Sequence, residues 1–432
     1  MDILIVENVW MGSSKYSFFD KTILTAFSIL PTLYARQIAA ITPKEYNVHV
    51  LNERYEKINF NKNYNIVNIT FTTSTSPRAY EIADEFRKRN VKVVLSGMHA
   101  SAVPKEAIQH ADSILLGRGE LEWLDFLKDF KDDKIKQFYQ PKKYDGSIKI
   151  PPSNIKLPGF VITSAIEATR GCPYKCEFCP ETNISNGISY YERPIVDVIE
   201  ELKSIPQKIV MFYDSSLTIN PKYTKELFRE MKKLKKRFFC NGNVDTLSKD
   251  EELVRLSKEA GCLAWLIGFE SVSQETLDSI DKKTNKIQYY KKAVENIHRN
   301  KMAVIGCFIF GFDNDKKTVF EKTIGMIKEL NIDVADFCAL TPFPGTPIYS
   351  KFQKESRIIT SDWSKYNLKS VVFKPKNMTM GDLQNGLTKM YLDFYSYSYT
   401  IKRILNSFRY GFVPFFSVLG RNIVAVMNSK KL

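Results

Sequence analysis

The stretch Arg170-Gly171-Cys172-Pro173-Tyr174-Lys175-Cys176-Glu177-Phe178-Cys179-Pro180 carries three cysteines, separated by three residues and then by two. A loop this short can point three thiolates at one iron–sulfur cluster, the kind of centre that thiolates hold. Three ligands on a four-iron cluster leave one iron open for chemistry. Zinc would ask for a fourth ligand, and no fourth Cys or His lies near this triplet in the chain. A disulfide framework fits worse, because seven cysteines in 432 residues are sparse and odd in number. The other four, Cys240, Cys262, Cys307 and Cys338, lie in or beside apolar stretches and read as buried small hydrophobes.

An open iron can chelate the amino and carboxylate groups of S-adenosylmethionine (SAM) and pass one electron into its sulfonium, which breaks to a 5′-deoxyadenosyl radical. The C-x3-C-x2-C spacing, with Phe178 directly before the last cysteine, resembles the signature of radical SAM enzymes. The resemblance implies a [4Fe-4S] cluster on Cys172, Cys176 and Cys179, with Phe178 beside the SAM adenine. It also implies a reducing partner such as a flavodoxin or ferredoxin.

Downstream of this loop the pattern alternates between strand and helix. Strands are expected at Ser164–Ala168, Ile209–Tyr213, Arg237–Asn241, Leu263–Gly268, Ala303–Phe310 and Val334–Leu340. Helices are expected between them, at Val196–Lys203, Lys222–Lys235, Lys249–Ala260 and Lys316–Glu329. Six such units fit a partial (β/α)6 barrel of the TIM type over 161–350, with the cysteine loop at the carboxyl end of its first strand. The resemblance extends to later strand ends: Phe212-Tyr213-Asp214, Asn241-Gly242-Asn243-Val244-Asp245, Gly268-Phe269-Glu270-Ser271, and the turn Thr341-Pro342-Phe343-Pro344-Gly345-Thr346-Pro347. It implies SAM contacts from Asp214, Asn243 and Glu270, although each also suits an ordinary polar strand end. Trp363 and Tyr366 fall in a further shared region.

Residues 1–140 alternate as well, with strands expected at Ile3–Val6, Tyr46–Leu51, Asn65–Phe71, Val91–Leu95 and Ser113–Leu116 and a helix at Arg78–Arg89. Alternation of this kind builds a doubly wound parallel sheet, whose ligands sit at the carboxyl ends of the strands. Thr73 and Ser74 follow a strand and open a helix, where hydroxyls hold a phosphate-bearing tail or simply cap the helix. Ser96-Gly97-Met98-His99-Ala100 and Leu116-Gly117-Arg118-Gly119-Glu120 resemble the cobalamin-binding domain that precedes many radical SAM barrels. The resemblance implies cobalamin contacts at Thr73, Ser74, Gly97 and Gly117. Where such domains ligate cobalt with D-x-H-x-x-G, this chain has Glu7-Asn8-Val9-Trp10-Met11-Gly12. Valine cannot coordinate a metal, which suits a cobalt without a protein histidine and equally a domain that has lost cobalamin.

Prolines 141, 151, 152 and 158 mark residues 141–160 as a linker between the domains. A C-terminal extension over 351–432 is expected to be helical. Its segment 396–432 has six basic residues, Lys402, Arg403, Arg409, Arg421, Lys430 and Lys431, and no acid, among Phe408, Phe412, Phe415 and Phe416. That composition suits either docking on the barrel or peripheral contact with a membrane. The formal charge of +15 asks for anionic partners, yet no RNA-binding aromatic signature is present and nucleic acid is not the expected partner. The run Lys232-Lys233-Leu234-Lys235-Lys236-Arg237 reads as a solvated helix face. The opening Met1-Asp2-Ile3-Leu4-Ile5-Val6 lacks the pattern of a signal peptide, so a cytoplasmic location is expected, with the tail allowing peripheral contact at the inner membrane face.

Absences narrow the reaction. Residues 1–171 hold no cysteine, unlike methylthiotransferases, and none follows Cys338, unlike enzymes with auxiliary clusters. One cluster with a cobalamin-type domain implies modification of an unactivated carbon, by methylation or by ring or carbon–carbon bond formation. The tail tilts the expectation toward an isoprenoid or other membrane lipid. Tetrapyrroles, phosphonates and antibiotic precursors are the alternatives, and a non-catalytic cobalamin sensor is the alternative of another class.

Overall fold

The computed structural model describes residues 1–7, 33–53, 56–140, 162–181, 190–411, 415, 418–420 and 422–423. Val9, the linker at 141–160 and the tail residues Phe412, Phe416, Arg421, Lys430 and Lys431 lie outside the described residues.

The N-terminal sheet is formed by β1 (Asp2–Glu7), β2 (Asn47–Asn52), β3 (Ile66–Thr70), β4 (Lys92–Ser96), β5 (Ser113–Leu115) and β6 (Phe138–Tyr139). All pairings are parallel, in the order β2-β1-β3-β4-β5-β6. Strand β1 shows why the sheet is covered on both sides: Leu4 and Val6 enter one apolar cluster, Ile3 and Ile5 the other. A strand buried on both faces reads as a continuous apolar run rather than an alternating one. The Ser76–Arg87 helix covers the first face, and the Tyr34–Ile41 and Glu120–Lys131 helices cover the second. Chain order reverses between β1 and β3, which opens a crevice at their carboxyl ends. The two-residue β6 is an addition to the five strands expected.

The second sheet is the expected six-stranded partial barrel. It is formed by β7 (Thr163–Ile166), β10 (Ile209–Phe212), β11 (Arg237–Gly242), β12 (Cys262–Glu270), β13 (Ala303–Phe310) and β14 (Val334–Ala339), parallel and in chain order. A small antiparallel ladder, β8 (Thr169–Arg170) with β9 (Tyr191–Glu192), flanks the cysteine loop. The expected Lys249–Ala260 helix begins two residues later, at Glu251, because a separate Val244–Lys249 helix stops at Asp250, whose carboxylate caps the next helix by accepting from Leu253 N.

Both edges of the barrel are covered. At the β14 edge, Tyr395 of the Met380–Phe394 region accepts from Ala335 N and donates to Ala335 O, and Tyr391 accepts from Phe337 N. These phenols satisfy an edge that would otherwise be open to another strand. At the β7 edge, Arg36 of the N-terminal sheet's helix donates to Ser164 Oγ at 2.7 Å. The helical C-terminal extension closes the amino end of the barrel, where Tyr410 and Val418 join Met211, Phe239, Ile305 and Val334 in one cluster. No helix among the described residues is long and apolar enough to cross a membrane.

Candidate active site

Gly171, at φ +73°, turns the chain out of β8 into the cysteine loop. The loop is held from three sides. Cys179 N donates to Cys176 O, Glu177 N to Ile280 O after β12, and Ile348 N to Glu177 O from the Pro347–Lys354 helix. Cys176 is buried, and Cys172 and Cys179 are half-buried. Burial pushes all three thiols up, Cys179 to about 12. Phe178 packs edge-on against Phe312 at 5.9 Å.

Among the described residues no His, Cys, Asp or Glu group is already gathered into a metal-binding arrangement. The donor set nevertheless suits a cluster, being three thiols from one loop with a half-buried cation beside them. That cation is Lys282, which pairs with Glu270 Oε1 at 2.9 Å. Burial alone would lower its pKa; Glu270, then Cys176 and Cys179, outweigh it and hold the ammonium up. A thiolate-bound cluster is anionic, so Lys282 sits where its charge is useful.

Glu270 ends β12 at φ +62°, in the left-handed region that non-glycine residues rarely adopt. The pairing of β12 with β13 shifts register between Gly268 and Glu270, and the glutamate folds back over the glycine. A Cβ on Gly268 would stand 2.3 Å from Glu270 Oε1. Asn285 donates to the carbonyls of Gly268 and Phe269, and Tyr290 to those of Phe269 and Ser271, which pins the bend.

Side chains two apart on a strand share a face. On β11, Phe239 belongs to the closed lower cluster, so Asn241 rises above it on the barrel's inner side, and Asn243 follows the strand as the N-cap of the Val244–Lys249 helix. The buried atoms Asn241 Oδ1 and Asn243 Nδ2 have no hydrogen-bond partner. Such unpaired groups mark a place that a polar ligand completes. By the same alternation Cys307 of β13 and Asp336 and Cys338 of β14 lie on this inner wall, half-buried. This corrects the expectation for Cys307 and Cys338, while Cys240 and Cys262 are buried as expected. Apolar flanks read as core, but the upper inner wall of an open barrel is not filled.

Asp214 gives Asn241 only its backbone carbonyl, which accepts from Asn241 Nδ2 at 2.8 Å, and its carboxylate turns elsewhere. It is fully buried, and its carboxylate accepts from Ala168 N, Thr169 N and Thr169 Oγ1, clamping β10 to the turn before the cysteine loop. Burial, and then Glu167, raise its pKa to about 7.

The four residues expected at cobalamin lie at the carboxyl ends of β3, β4 and β5. Thr73 is buried and Ser74 half-buried in a turn whose capping box is made by Thr72 and Thr75. Gly97, at φ +98°, lets β4 turn against β3, since a Cβ there would meet Phe71 O at 2.8 Å. Ser101 joins the two glycine loops, its Oγ lying 2.8 Å from Gly97 O and accepting from Gly117 N at 3.0 Å. Glu7, which ends β1, caps the Tyr34–Ile41 helix through Leu33 N and Ala35 N, and burial raises its pKa to about 6.

A buried charge network that the motifs alone did not reveal links these loops to the cysteine loop. Arg118, beside Gly117, reaches Glu167 at the end of β7 and Glu181 after the third cysteine, each at 2.5 Å. Arg170, directly before the cysteine loop, pairs back with Glu120 at 3.2 Å and with Glu167 at 3.0 Å. The motif Gly117-Arg118-Gly119-Glu120 held the signal, because two charges between glycines on a short loop have nowhere to go but a neighbour.

A six-stranded partial barrel behind a 2-1-3-4-5 parallel sheet, with three cysteines after the first barrel strand, defines the class. The solved structure of TsrM, a radical SAM methyltransferase from Kitasatospora setae with cobalamin and a [4Fe-4S] cluster bound, shares the fold. Its TM-score is 0.68 at 14% identity, with 100% of this chain and 99% of that one covered. The family described as the radical SAM superfamily matches residues 166–327. Among curated proteins, the bacteriochlorophyllide d C-12(1)-methyltransferase of Chlorobaculum tepidum is 30% identical over 386 residues, covering 85% of this chain and 83% of that one. The C-8(2)-methyltransferase of the same organism is 30% identical over 390 residues, covering 85% and 86%. The chain belongs to the radical SAM superfamily and is an enzyme of the branch in which a cobalamin-binding-type sheet precedes the barrel.

Proposed function

We propose that this enzyme is a cobalamin-dependent radical SAM C-methyltransferase whose acceptor is a tetrapyrrole. The observation that carries the reading is similarity over 85% of the chain to two methyltransferases of bacteriochlorophyllide d, enough to reach into both sheets. When bound, a [4Fe-4S] cluster with SAM supplies a hydrogen-abstracting radical, and cobalamin supplies a methyl group.

Cys172, Cys176 and Cys179 are the residues for the cluster, with Phe178, Asn243 and Glu270 for SAM. Thr73, Ser74, Gly97 and Gly117, at the carboxyl ends of β3, β4 and β5, are the residues for cobalamin. Lys282 balances the cluster's charge, and the unpaired amide atoms of Asn241 and Asn243 orient a polar ligand on the inner wall. Asp336, Cys307 and Cys338 face the space above the closed end and meet the acceptor. A low-potential flavodoxin or ferredoxin supplies the electron.

A lipid acceptor rested on the composition of the tail. In the fold, Tyr410 and Val418 of that tail seal the amino end of the barrel, away from the cysteine loop, so the tail does not speak for the acceptor. The test is anaerobic reconstitution with iron, sulfide and cobalamin, then reaction with SAM, reductant and a chlorin acceptor. A product about 14 Da heavier together with 5′-deoxyadenosine is the expected result. Methylation of an isoprenoid lipid with none of the chlorin would replace the proposal with the lipid reading, and ring closure without mass gain from methyl would make it a cyclase.

A further inference from the structure

The Tyr397–Ser407 helix buries Thr400, Arg403 and Ser407 and turns Tyr397, Ile401 and Leu405 outward, four residues apart on one face. Phe408 continues the line, and all four are between 57% and 66% exposed. Large apolar side chains in a continuous exposed row mark a contact surface. Beside the row, a cavity of about 290 Å³ is lined by Lys328, Lys402, Arg403 and Arg409, with Asp333 and Tyr399.

Asp333 is committed to the protein, taking Val304 N, His298 and the Tyr410 hydroxyl. Its single negative charge faces four cations in the lining, which leaves the cavity cationic. Arg403 is 5% exposed, stacks on Phe394, and keeps a buried Nε with no partner. A buried guanidinium nitrogen left unpaired beside a cationic cavity is a site that an anion completes.

We propose that this face docks on an anionic membrane surface, the apolar row entering the headgroup boundary and the cavity receiving a lipid phosphate. Positive charge alongside an apolar helical row is the arrangement by which interfacial helices bind anionic lipid. The surface lies at the amino ends of the barrel strands, since Asp333 directly precedes β14, whereas the cysteine loop lies at the carboxyl ends. Docking thus holds the enzyme at a bilayer without turning the mouth of the barrel toward the acyl chains. It is independent of the acceptor: vesicle binding and methyl transfer succeed or fail separately.

The experiment is flotation of the full-length chain with vesicles of phosphatidylcholine, alone or mixed with phosphatidylglycerol. Binding to the mixture at low salt, lost in high salt and absent from phosphatidylcholine alone, is expected. The pair Ile401→Asp/Leu405→Asp and the pair Lys402→Glu/Arg409→Glu should each weaken it by roughly tenfold or more, with wild-type iron content after reconstitution. The charge pair alters exposed side chains and keeps the test decisive if the apolar pair misfolds. No flotation with the anionic mixture, or equal flotation of wild type and the charge pair, overturns the proposal. So does a wild-type dimer that the charge pair leaves intact and Ile401→Asp dissolves, which would assign the face to a second copy.

Discussion

Arg118 of the N-terminal sheet and Glu167 at the end of the first barrel strand meet at 2.5 Å with both side chains nearly excluded from water. The same guanidinium holds Glu181, two residues beyond Cys179, so one side chain fixes the glycine loop of one sheet to the cysteine loop of the other. Arg118→Met should leave two carboxylates inside the protein without this partner and lower unfolding stability by about 3–5 kcal/mol. Arg118→Lys should recover part of the loss, because it restores the charge without the two-pronged geometry. Denaturant unfolding monitored separately by the two sheets' tryptophans, Trp123 and Trp265, measures both; an unchanged midpoint for Arg118→Met would remove the network from the account.

The architecture was readable because the central strands, such as β1, β3 and β4, are apolar on both sides, as a doubly covered parallel sheet requires, and because the cysteine spacing is local. What escaped was whatever depends on distant partners. Arg118 and Glu167 are 49 positions apart, and Arg118 and Glu181 are 63 apart. Lys282 stands in Asp281-Lys282-Lys283, which reads as a solvated charge run until the barrel closes over it. Cys307 and Cys338 were misread for the same reason, since an apolar strand does not tell which of its two faces an open barrel leaves unfilled. Asp214 sits at a strand end like its neighbours, and only the fold shows that backbone amides consume its carboxylate.

Asp214 gives stability a dependence on pH. Its pKa is raised from 3.8 to about 7, by burial first and then by Glu167. The folded state therefore binds a proton that the unfolded state has released between about pH 4 and pH 7. The contribution is fully present below the unfolded value and is lost as pH rises through the folded one. Asp214→Asn keeps an acceptor for Thr169 and does not ionise, so the variant should lose less stability than wild type over this interval. Parallel slopes of unfolding free energy against pH would show that Asp214 does not titrate as described.

Gly268 offers a way to move Glu270 without touching it. A methyl group at 268 would stand 2.3 Å from Glu270 Oε1, the mobile end of a side chain, so Gly268→Ala should fold while pushing the carboxylate off its seat. If Glu270 contacts SAM, both Gly268→Ala and Glu270→Gln should weaken SAM binding by about tenfold, the size of one lost charge-assisted hydrogen bond. Equilibrium binding to the reconstituted enzyme reads this directly. Full affinity in Glu270→Gln would leave the glutamate as a partner of Lys282 alone.

Lys282 lies half-buried beside Glu270 and the three thiols, and its charge should be felt by whatever those thiols hold. Reduction adds an electron to a cluster that is already anionic, and a nearby cation favours that more negative state. Lys282→Met should therefore make the cluster harder to reduce, moving its midpoint potential downward. The expected size is on the order of tens of millivolts, that of one charge acting over roughly 10 Å at an effective dielectric near 20. Lys282→Arg should retain most of the wild-type potential, because the charge remains while the packing changes. An electron paramagnetic resonance titration of the three proteins separates charge from structure: Arg and Met variants shifted alike would mean that Lys282 shapes the loop rather than its electrostatics.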